Sequence, residues 1–292
     1  MNRPLQILFL LSSSLTLLSA SPWPAKEAHP YAVKQIHSGH SLTDPLFGQP
    51  WPGQYVDLMT NHFDAPFDHI AKSTIPGSPM HWRWEHSTQP DARHDIEDFE
   101  LLVITEGVPF PNWEKDHPHD IRGSIDYLSR FHANAWEHGN GGQGAATLLW
   151  TTWTNIDGRD GDFREMLDTY DPLWERMARE ASLKNEAIGA PPIYLVPGHR
   201  MMARLYDDIQ AKRVPGVTEL SDFFSDTIHL ATPAGKYATA LIHYACIYHK
   251  SPVGLPNTLN GETVPPALAA YLQRMIWDVV TSYPPTGVVG DA

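Results

Sequence analysis

Tyr31-Ala32-Val33-Lys34-Gln35-Ile36 is an apolar-leaning run that is followed closely by Gly39-His40-Ser41-Leu42-Thr43-Asp44. The run predicts a first β-strand, and the segment after it predicts a turn that presents a serine where the strand ends. Ser225-Asp226-Thr227-Ile228-His229-Leu230 lies far downstream. A serine, a histidine and an aspartate supply the three groups that acyl transfer needs: a hydroxyl nucleophile, a base that takes its proton, and a carboxylate that orients the base.

The pattern around these segments predicts one α/β domain over residues 22–292. Strand candidates occupy 32–37, 69–75, 99–105, 145–151 and 192–196. Helical patterns lie near 53–62, 91–97, 121–138, 163–186, 198–211, 233–249 and 265–281. Such alternation predicts a doubly wound, parallel five-stranded sheet in a flavodoxin-like, three-layer α/β/α sandwich.

In sheets of this kind the site forms where the strands end at their carboxyl sides. The predicted strand exits are Gly39-His40-Ser41, Pro76-Gly77-Ser78, Glu106-Gly107, Thr152-Trp153-Thr154-Asn155 and Pro197-Gly198-His199. The Asp226-x-x-His229 pair adds to them, because side chains three residues apart in a turn can hydrogen-bond and fix the imidazole tautomer. Thr232 and Pro233 then predict the N-cap and first residue of the following helix.

The N-terminus predicts export. Arg3 precedes an apolar run from Leu5 to Leu18, and small residues follow around Ser19-Ala20-Ser21. This is typical of a signal peptide over residues 1–21, and the run is too short to span a bilayer as a mature helix. The chain is therefore expected to be secreted or periplasmic and to have no membrane span, the alternative being a buried first helix.

Charge and cysteine content narrow the possible partners. The net charge of −13 comes without a basic cluster, so no nucleic-acid partner is expected. Cys246 is the single cysteine, which excludes an intrachain disulfide, and its apolar helical surroundings predict a buried thiol rather than a nucleophile. No glycine-rich phosphate loop follows the first strand, and no cofactor is expected.

Two loops carry side chains that could bind metal. Asp116-His117-Pro118-His119-Asp120 has a spacing that fits no common zinc pattern. Asp157-Gly158-Arg159-Asp160-Gly161-Asp162 is similar to a calcium loop but lacks the distal glutamate. We interpret the first as a solvated loop and the second as a turn, and we expect no metal site.

The motifs resemble those of the SGNH hydrolase superfamily, the GDSL-type esterases and lipases. Gly39-His40-Ser41-Leu42-Thr43 is similar to the first motif of that family, and Asp226-x-x-His229 is similar to its last. Gly77 matches by position the glycine whose N–H helps form the oxyanion hole. The resemblance covers about residues 32–250 and implies that Ser41, Asp226 and His229 are catalytic.

The third motif departs from the family pattern, because Glu106 stands where the family has an oxyanion-binding asparagine. An ionised carboxylate would repel the oxyanion. The hole could be completed by a protonated Glu106, by Asn112 or Asn155, or by backbone N–H groups alone. Alternatively, the register of the third strand differs and Glu106 is a capping or structural acid.

Several indoles follow the predicted strands. We expect His40, Trp82, Trp84 and Trp153 to contact substrate. Trp113 follows the Glu106 loop and Trp150 lies at the end of the fourth predicted strand, so both are expected near the same site. Flat rings beside a serine suit sugars or an acyl chain, although packing inside the core is an equally open role for each.

The sequence predicts an exported serine esterase for a small-molecule or carbohydrate ester, with O-acetyl groups as the leading substrate. The alternatives are a lipid esterase or lysophospholipase, and a non-catalytic carbohydrate-binding relic.

Overall fold

The computed structural model of this chain describes residues 23–48, 53–111 and 120–290. A five-stranded sheet forms its centre, with strands β1 (Gln35–Gly39), β2 (Ile70–Thr74), β3 (Leu101–Ile104), β4 (Ala146–Thr151) and β5 (Tyr194–Pro197). The strand order is β2-β1-β3-β4-β5, and all neighbouring strands are parallel. The predicted parallel sheet is confirmed.

Helices cover both faces of the sheet. They are α1 (Gln54–His62), α2 (Met80–Glu85), α3 (Arg122–Gly142), α4 (Phe163–Lys184), α5 (Gly198–Gln210), α6 (Pro233–Tyr248) and α7 (Pro266–Thr281). Helix α6 contacts α1 and α7, whereas α3 contacts α2 and α4. These two groups are the outer layers of the predicted three-layer α/β/α sandwich.

The two central strands explain why the sheet lies between two helical layers. Every residue of β1 and β3 is buried, and β3 is the continuous apolar run Leu-Leu-Val-Ile. A strand that is apolar on both faces must be covered on both faces. The buried polar residue Gln35 of β1 is paired, because its amide donates to Tyr248 of α6 and its carbonyl accepts from Tyr55 of α1.

The predicted helix near 91–97 is wrong. The carboxylate of Asp91 accepts hydrogen bonds from the backbone N–H groups of Arg93, His94 and Thr88, which stabilises a turn instead of a helix. A single 3₁₀ turn, Ile96–Asp98, follows. The connection between β2 and β3 is instead provided by the short helix α2, which the sequence pattern did not reveal.

A short hairpin was also missed. Thr258–Leu259 and Glu262–Thr263 pair antiparallel around Asn260 and Gly261, which both have positive φ. Asn-Gly is the dipeptide that favours such a turn. The hairpin is close to the first turn of α1, since the N–H of Asn260 donates to Asp57.

Helix α6 begins as the sequence predicts. Thr232 is its N-cap and accepts a hydrogen bond from the N–H of Gly235, and Pro233 is its first residue. This helix start comes shortly after the Asp226-x-x-His229 segment, so the N-cap fixes the position of the chain at the end of that segment.

Part of the sequence interpretation falls on residues that are not described. The signal peptide over 1–21, and Asn112, Trp113 and most of the His117/His119 loop, lie there. Within the described residues, none of the helices combines the length and the apolar character that crossing a bilayer requires.

Cys246 lies fully buried in α6, and this burial raises the pKa of its thiol to about 12. We expect a chromogenic disulfide reagent to leave the native protein unmodified and to react with one thiol per chain after denaturation. Reaction of the folded protein at the rate of the denatured one would contradict this burial.

Candidate active site

Ser41 lies in the turn that follows β1, at the carboxyl edge of the sheet. The turn closes through a hydrogen bond from the N–H of Thr43 to the carbonyl of His40, 2.9 Å long. A Cβ on Gly39 would lie 2.0 Å from Oγ1 of Thr43, so only glycine lets the chain fold back so closely. The serine is therefore presented at the strand exit, as predicted.

Asp226 and His229 form a compact unit. The Nδ1–H of His229 donates to Oδ2 of Asp226 over 2.7 Å. The other oxygen, Oδ1, accepts from the N–H groups of Ile228 and His229 at 2.9 and 2.8 Å. Partial burial alone would raise the pKa of Asp226, but these hydrogen bonds outweigh it and lower the pKa to about 2. The carboxylate therefore stays ionised and leaves Nε2 of His229 as the free basic nitrogen.

Residues of the loop after β4 hydrogen-bond to the segment that carries Asp226 and His229. The indole N–H of Trp153 donates to the carbonyl of Ile228 over 2.8 Å, and the hydroxyl of Thr227 donates to Oδ1 of Asn155 over 2.8 Å. Trp153 is completely buried and offers no face to a ligand, and its ring packs edge-to-face with Trp150 and Phe224. The amide nitrogen of Asn155 donates to Asp160, which leaves it engaged away from an oxyanion.

Ser41 lines two cavities. The first, which we name the His229 cavity, has a volume of about 370 Å³ and is also lined by Asp44, Pro45, Gly48, Ser225, His229, Ala231 and Lys236. The second, the Gly77 cavity, has a volume of about 120 Å³ and is also lined by His40, Leu42, Gly77, Gly107, Val108 and Ile228. Ser41 thus shares one cavity with His229 and the other with Gly77.

Two backbone N–H groups at the Gly77 cavity are free. Gly77 has a φ of 71° and lies in the turn after β2. Its N–H and that of Ser41 have no acceptor among the described residues. Unpaired N–H groups beside a nucleophile are the usual donors of an oxyanion hole.

Glu106 is completely buried and accepts hydrogen bonds instead of donating them. Its Oε1 accepts from the N–H groups of Met80 and Gly107, at 2.8 and 2.7 Å. The carboxylate is thus directed at the start of α2, and Glu106 is not among the residues that line the Gly77 cavity. This geometry favours the structural-acid interpretation over a protonated oxyanion donor.

His40 forms part of the wall of the Gly77 cavity, with both ring nitrogens occupied. Nε2–H donates to the carbonyl of Glu106 over 3.0 Å, and Nδ1 accepts from the N–H of Leu42. Burial, aided by the charge of Arg83, lowers the pKa of His40 to about 4. The ring is therefore neutral and can offer a substrate only packing contacts.

Two predicted substrate-binding indoles lie outside both cavities. Trp82 is 45% exposed and stacks on His86 with ring centroids 3.7 Å apart. Trp84 packs its ring edge against Phe131 of α3 and carries the guanidinium of Arg93 on its face. Both belong to α2, and Trp84 packs this helix against α3.

A larger cavity lies elsewhere in the described chain. It has a volume of about 680 Å³ and is bordered by residues of α4, α5 and α7. His199 is held there between Oγ1 of Thr151 and Oδ1 of Asp171, so neither ring nitrogen is free to act as a base. Arg200 in turn pairs with Asp171. We therefore place the candidate chemistry at Ser41 despite the smaller size of its cavities.

The calcium-like loop is a turn. Asp157 pairs with Arg159, Asp160 binds Asn155, and Asp162 is the N-cap of α4. No group of three or more potential metal ligands occurs within residues 23–48, 53–111 and 120–290.

Sequence reasoning missed Lys236, Asp44 and Arg83 at this site. Lys236 lines the His229 cavity and pairs with Glu262 at 2.5 Å. It lies seven residues after His229, in the first turns of α6, which is the signal that could have identified it. Arg83 had no sequence signal, because its position depends on α2.

No family model and no curated protein matches the chain. Among solved structures, a DUF4886 family protein from Bacteroides uniformis is similar at 12% sequence identity and a TM-score of 0.55. The similarity covers 87% of this chain and 96% of that one. At this identity the likeness bears on the fold alone.

Trp153→Phe tests whether the indole N–H holds the histidine loop. We expect a loss of about 1 kcal/mol in the free energy of unfolding from the missing hydrogen bond, and a drop of about tenfold in kcat on an ester substrate. Trp174→Phe is the matched control, because Trp174 is also fully buried and its Nε1 has no partner among the described residues. Equal effects of the two substitutions on kcat would contradict this role.

Proposed function

We propose that this chain is a serine hydrolase that cleaves a carboxylic ester with a short acyl group. The observation that supports this best is that Ser41 and His229 line one cavity while Asp226 binds Nδ1 of His229. This arrangement supplies nucleophile, base and orienting carboxylate together.

The proposed reaction proceeds in two halves. Oγ of Ser41 attacks the ester carbonyl as its proton passes to Nε2 of His229, and the N–H groups of Ser41 and Gly77 bind the oxyanion. Asp226 stabilises the imidazolium. Collapse of the tetrahedral intermediate breaks the bond to the alcohol, which takes the proton from His229. Water, deprotonated by His229, then hydrolyses the acyl-serine and releases the acid.

The two cavities suggest which part of the ester lies where. The Gly77 cavity, of about 120 Å³, has apolar walls formed by Leu42, Val108 and Ile228, which suits an acetyl group better than a long acyl chain. The His229 cavity is larger, and the side chains of Asp44, His229 and Lys236 in its wall can hydrogen-bond a hydroxylated alcohol such as a carbohydrate. O-acetyl carbohydrate esters thus remain the leading substrate, on the basis of these walls instead of the indoles.

Neither alternative function is as well supported. A lipid esterase or lysophospholipase would need room for a long acyl chain beside the oxyanion donors. A non-catalytic relic would be expected to lose the paired histidine or the free N–H groups, and both are present. The apolar run from Leu5 to Leu18 supports export of this enzyme to the periplasm or beyond the cell.

Ser41→Ala should reduce hydrolysis of p-nitrophenyl acetate at least about 10³-fold and abolish labelling by a fluorophosphonate. Ser41→Ala/His229→Ala should be little slower than Ser41→Ala, because members of one catalytic unit are not additive. Ser221→Ala, on the surface, is the control. Retention of activity within about tenfold of wild type in Ser41→Ala would overturn the assignment.

Lys236→Met tests the assignment of the alcohol to the His229 cavity. We expect KM for an O-acetylated sugar to rise about tenfold, the value of one charge-assisted hydrogen bond, while hydrolysis of p-nitrophenyl acetate changes little. Lys184→Met is the control, because Lys184 also pairs with an acid, Asp126, but at the surface. A KM that is unchanged for every acetylated polyol would place the alcohol elsewhere.

A further inference from the structure

Arg83 is a buried cation that hydrogen-bonds to the two loops that line the Gly77 cavity. It belongs to α2, is 4% exposed, and has no carboxylate within ion-pair distance in the part of the chain that the structure describes. Its Nε donates to Oγ of Ser38, its Nη1 to the carbonyl and hydroxyl of Ser78, and its Nη2 to the carbonyl of Thr105. One guanidinium thus joins the end of β1 to the loops that follow β2 and β3.

Glu106 joins the same two loops through their N–H groups. Its Oε1 accepts from Met80, in the loop and helix start after β2, and from Gly107, in the loop after β3. Arg83 therefore binds carbonyl oxygens and Glu106 binds N–H groups of neighbouring segments. We name these two residues the Arg83–Glu106 clamp.

The two charges stabilise each other. Burial lowers the pKa of Arg83 to about 10, and attraction to the carboxylate of Glu106 opposes that decrease. The guanidinium remains charged at neutral pH. Each charge would be costly to bury alone, which ties the two residues together.

The clamped loops form the wall that faces Ser41. Gly77 precedes Ser78, which Arg83 binds, and Gly107 and Val108 follow Glu106. An oxyanion hole made from backbone N–H groups stabilises a transition state only when those groups are fixed before the reaction. No side-chain amide of the described residues takes part here, so the loop positions themselves must provide that fixation.

We propose that Arg83 and Glu106 are positioning residues, which hold the loops after β2 and β3 so that the N–H group of Gly77 faces the oxyanion formed at Ser41. This proposal rests on the proposed function. It assigns Glu106 a role that differs from both a protonated donor and a pure capping acid. The clamp takes the place of a side-chain amide by fixing the backbone.

The experiment compares Arg83→Met, Arg83→Lys, Glu106→Ala and Glu106→Gln. We expect Arg83→Met and Glu106→Ala to lower kcat about 10²-fold on p-nitrophenyl acetate with KM within about threefold, because the loss falls on the transition state. Glu106→Gln keeps an acceptor oxygen and should recover at least about tenfold of the loss. Arg83→Lys should recover little, because an ammonium cannot reach three segments at once.

Two further measurements separate positioning from stability. Asp208→Ala removes an equally buried acid that pairs with Arg204 and Arg213 far from the site, and it should lower the melting temperature while leaving kcat unchanged. Hydrogen exchange should speed up in 77–80 and 105–108 in both Arg83 variants. If Arg83→Met or Glu106→Ala does not fold, the same measurements are made on the milder variants Arg83→Lys and Glu106→Gln.

The outcomes distinguish this proposal from the proposed function. If wild-type protein is not labelled by a fluorophosphonate, the proposed function fails and the positioning role fails with it. If wild type is labelled, but kcat in the folded Arg83 and Glu106 variants falls no more than in Asp208→Ala, the clamp alone is overturned. Unchanged amide exchange in both loops would overturn it as well.

Discussion

Parallel pairing of β1 with β2 on one side and β3 on the other places three strand exits at one edge of the sheet. Gly39 pairs with Thr74 and Ser38 with Ile104, so the three strands end almost level. The chain leaves each strand within a few residues of the others, and Ser41, Gly77 and Gly107 meet around one cavity. Without this register the free N–H groups and the nucleophile would lie at different depths.

The sequence was sufficient to predict the sheet, the turn that carries Ser41 and the Asp226-x-x-His229 turn, because all three depend on local patterns. Continuous apolar runs predict strands that are covered on both faces, and Asp226-x-x-His229 is a self-contained turn whose hydrogen bonds form within four residues. The alternation with helices predicts that the strands are parallel. These predictions depend on interactions between residues that are close in the chain.

The missed features depend on side-chain hydrogen bonds to the backbone and on distant contacts. Asp91 satisfies the N–H groups of Arg93 and His94, so a segment with a helical pattern becomes a turn. The short helix α2 is stabilised by packing of Trp84 on Phe131. Because α2 forms there, Arg83 contacts Ser38 and Thr105 at the edge of the sheet. No local sequence pattern predicts these contacts. The expected role of Trp153 differs for the same reason, since an indole after a strand can point into the core as easily as into a cavity.

The proposed oxyanion hole contains no side-chain amide, so the charges beside it bear on how it would act. A lone buried guanidinium near an oxyanion would attract it, and a lone buried carboxylate would repel it. Arg83 and Glu106 are both buried and attract each other, so neither acts as a lone charge. Their hydrogen bonds are short-ranged and act on the loops. In the proposed positioning role, the pair therefore acts on the direction of the N–H groups. An asparagine side chain would bind an oxyanion with one flexible amide. Here the proposed donors are backbone N–H groups, and the loops that carry them are fixed by Arg83 through carbonyl groups and by Glu106 through N–H groups.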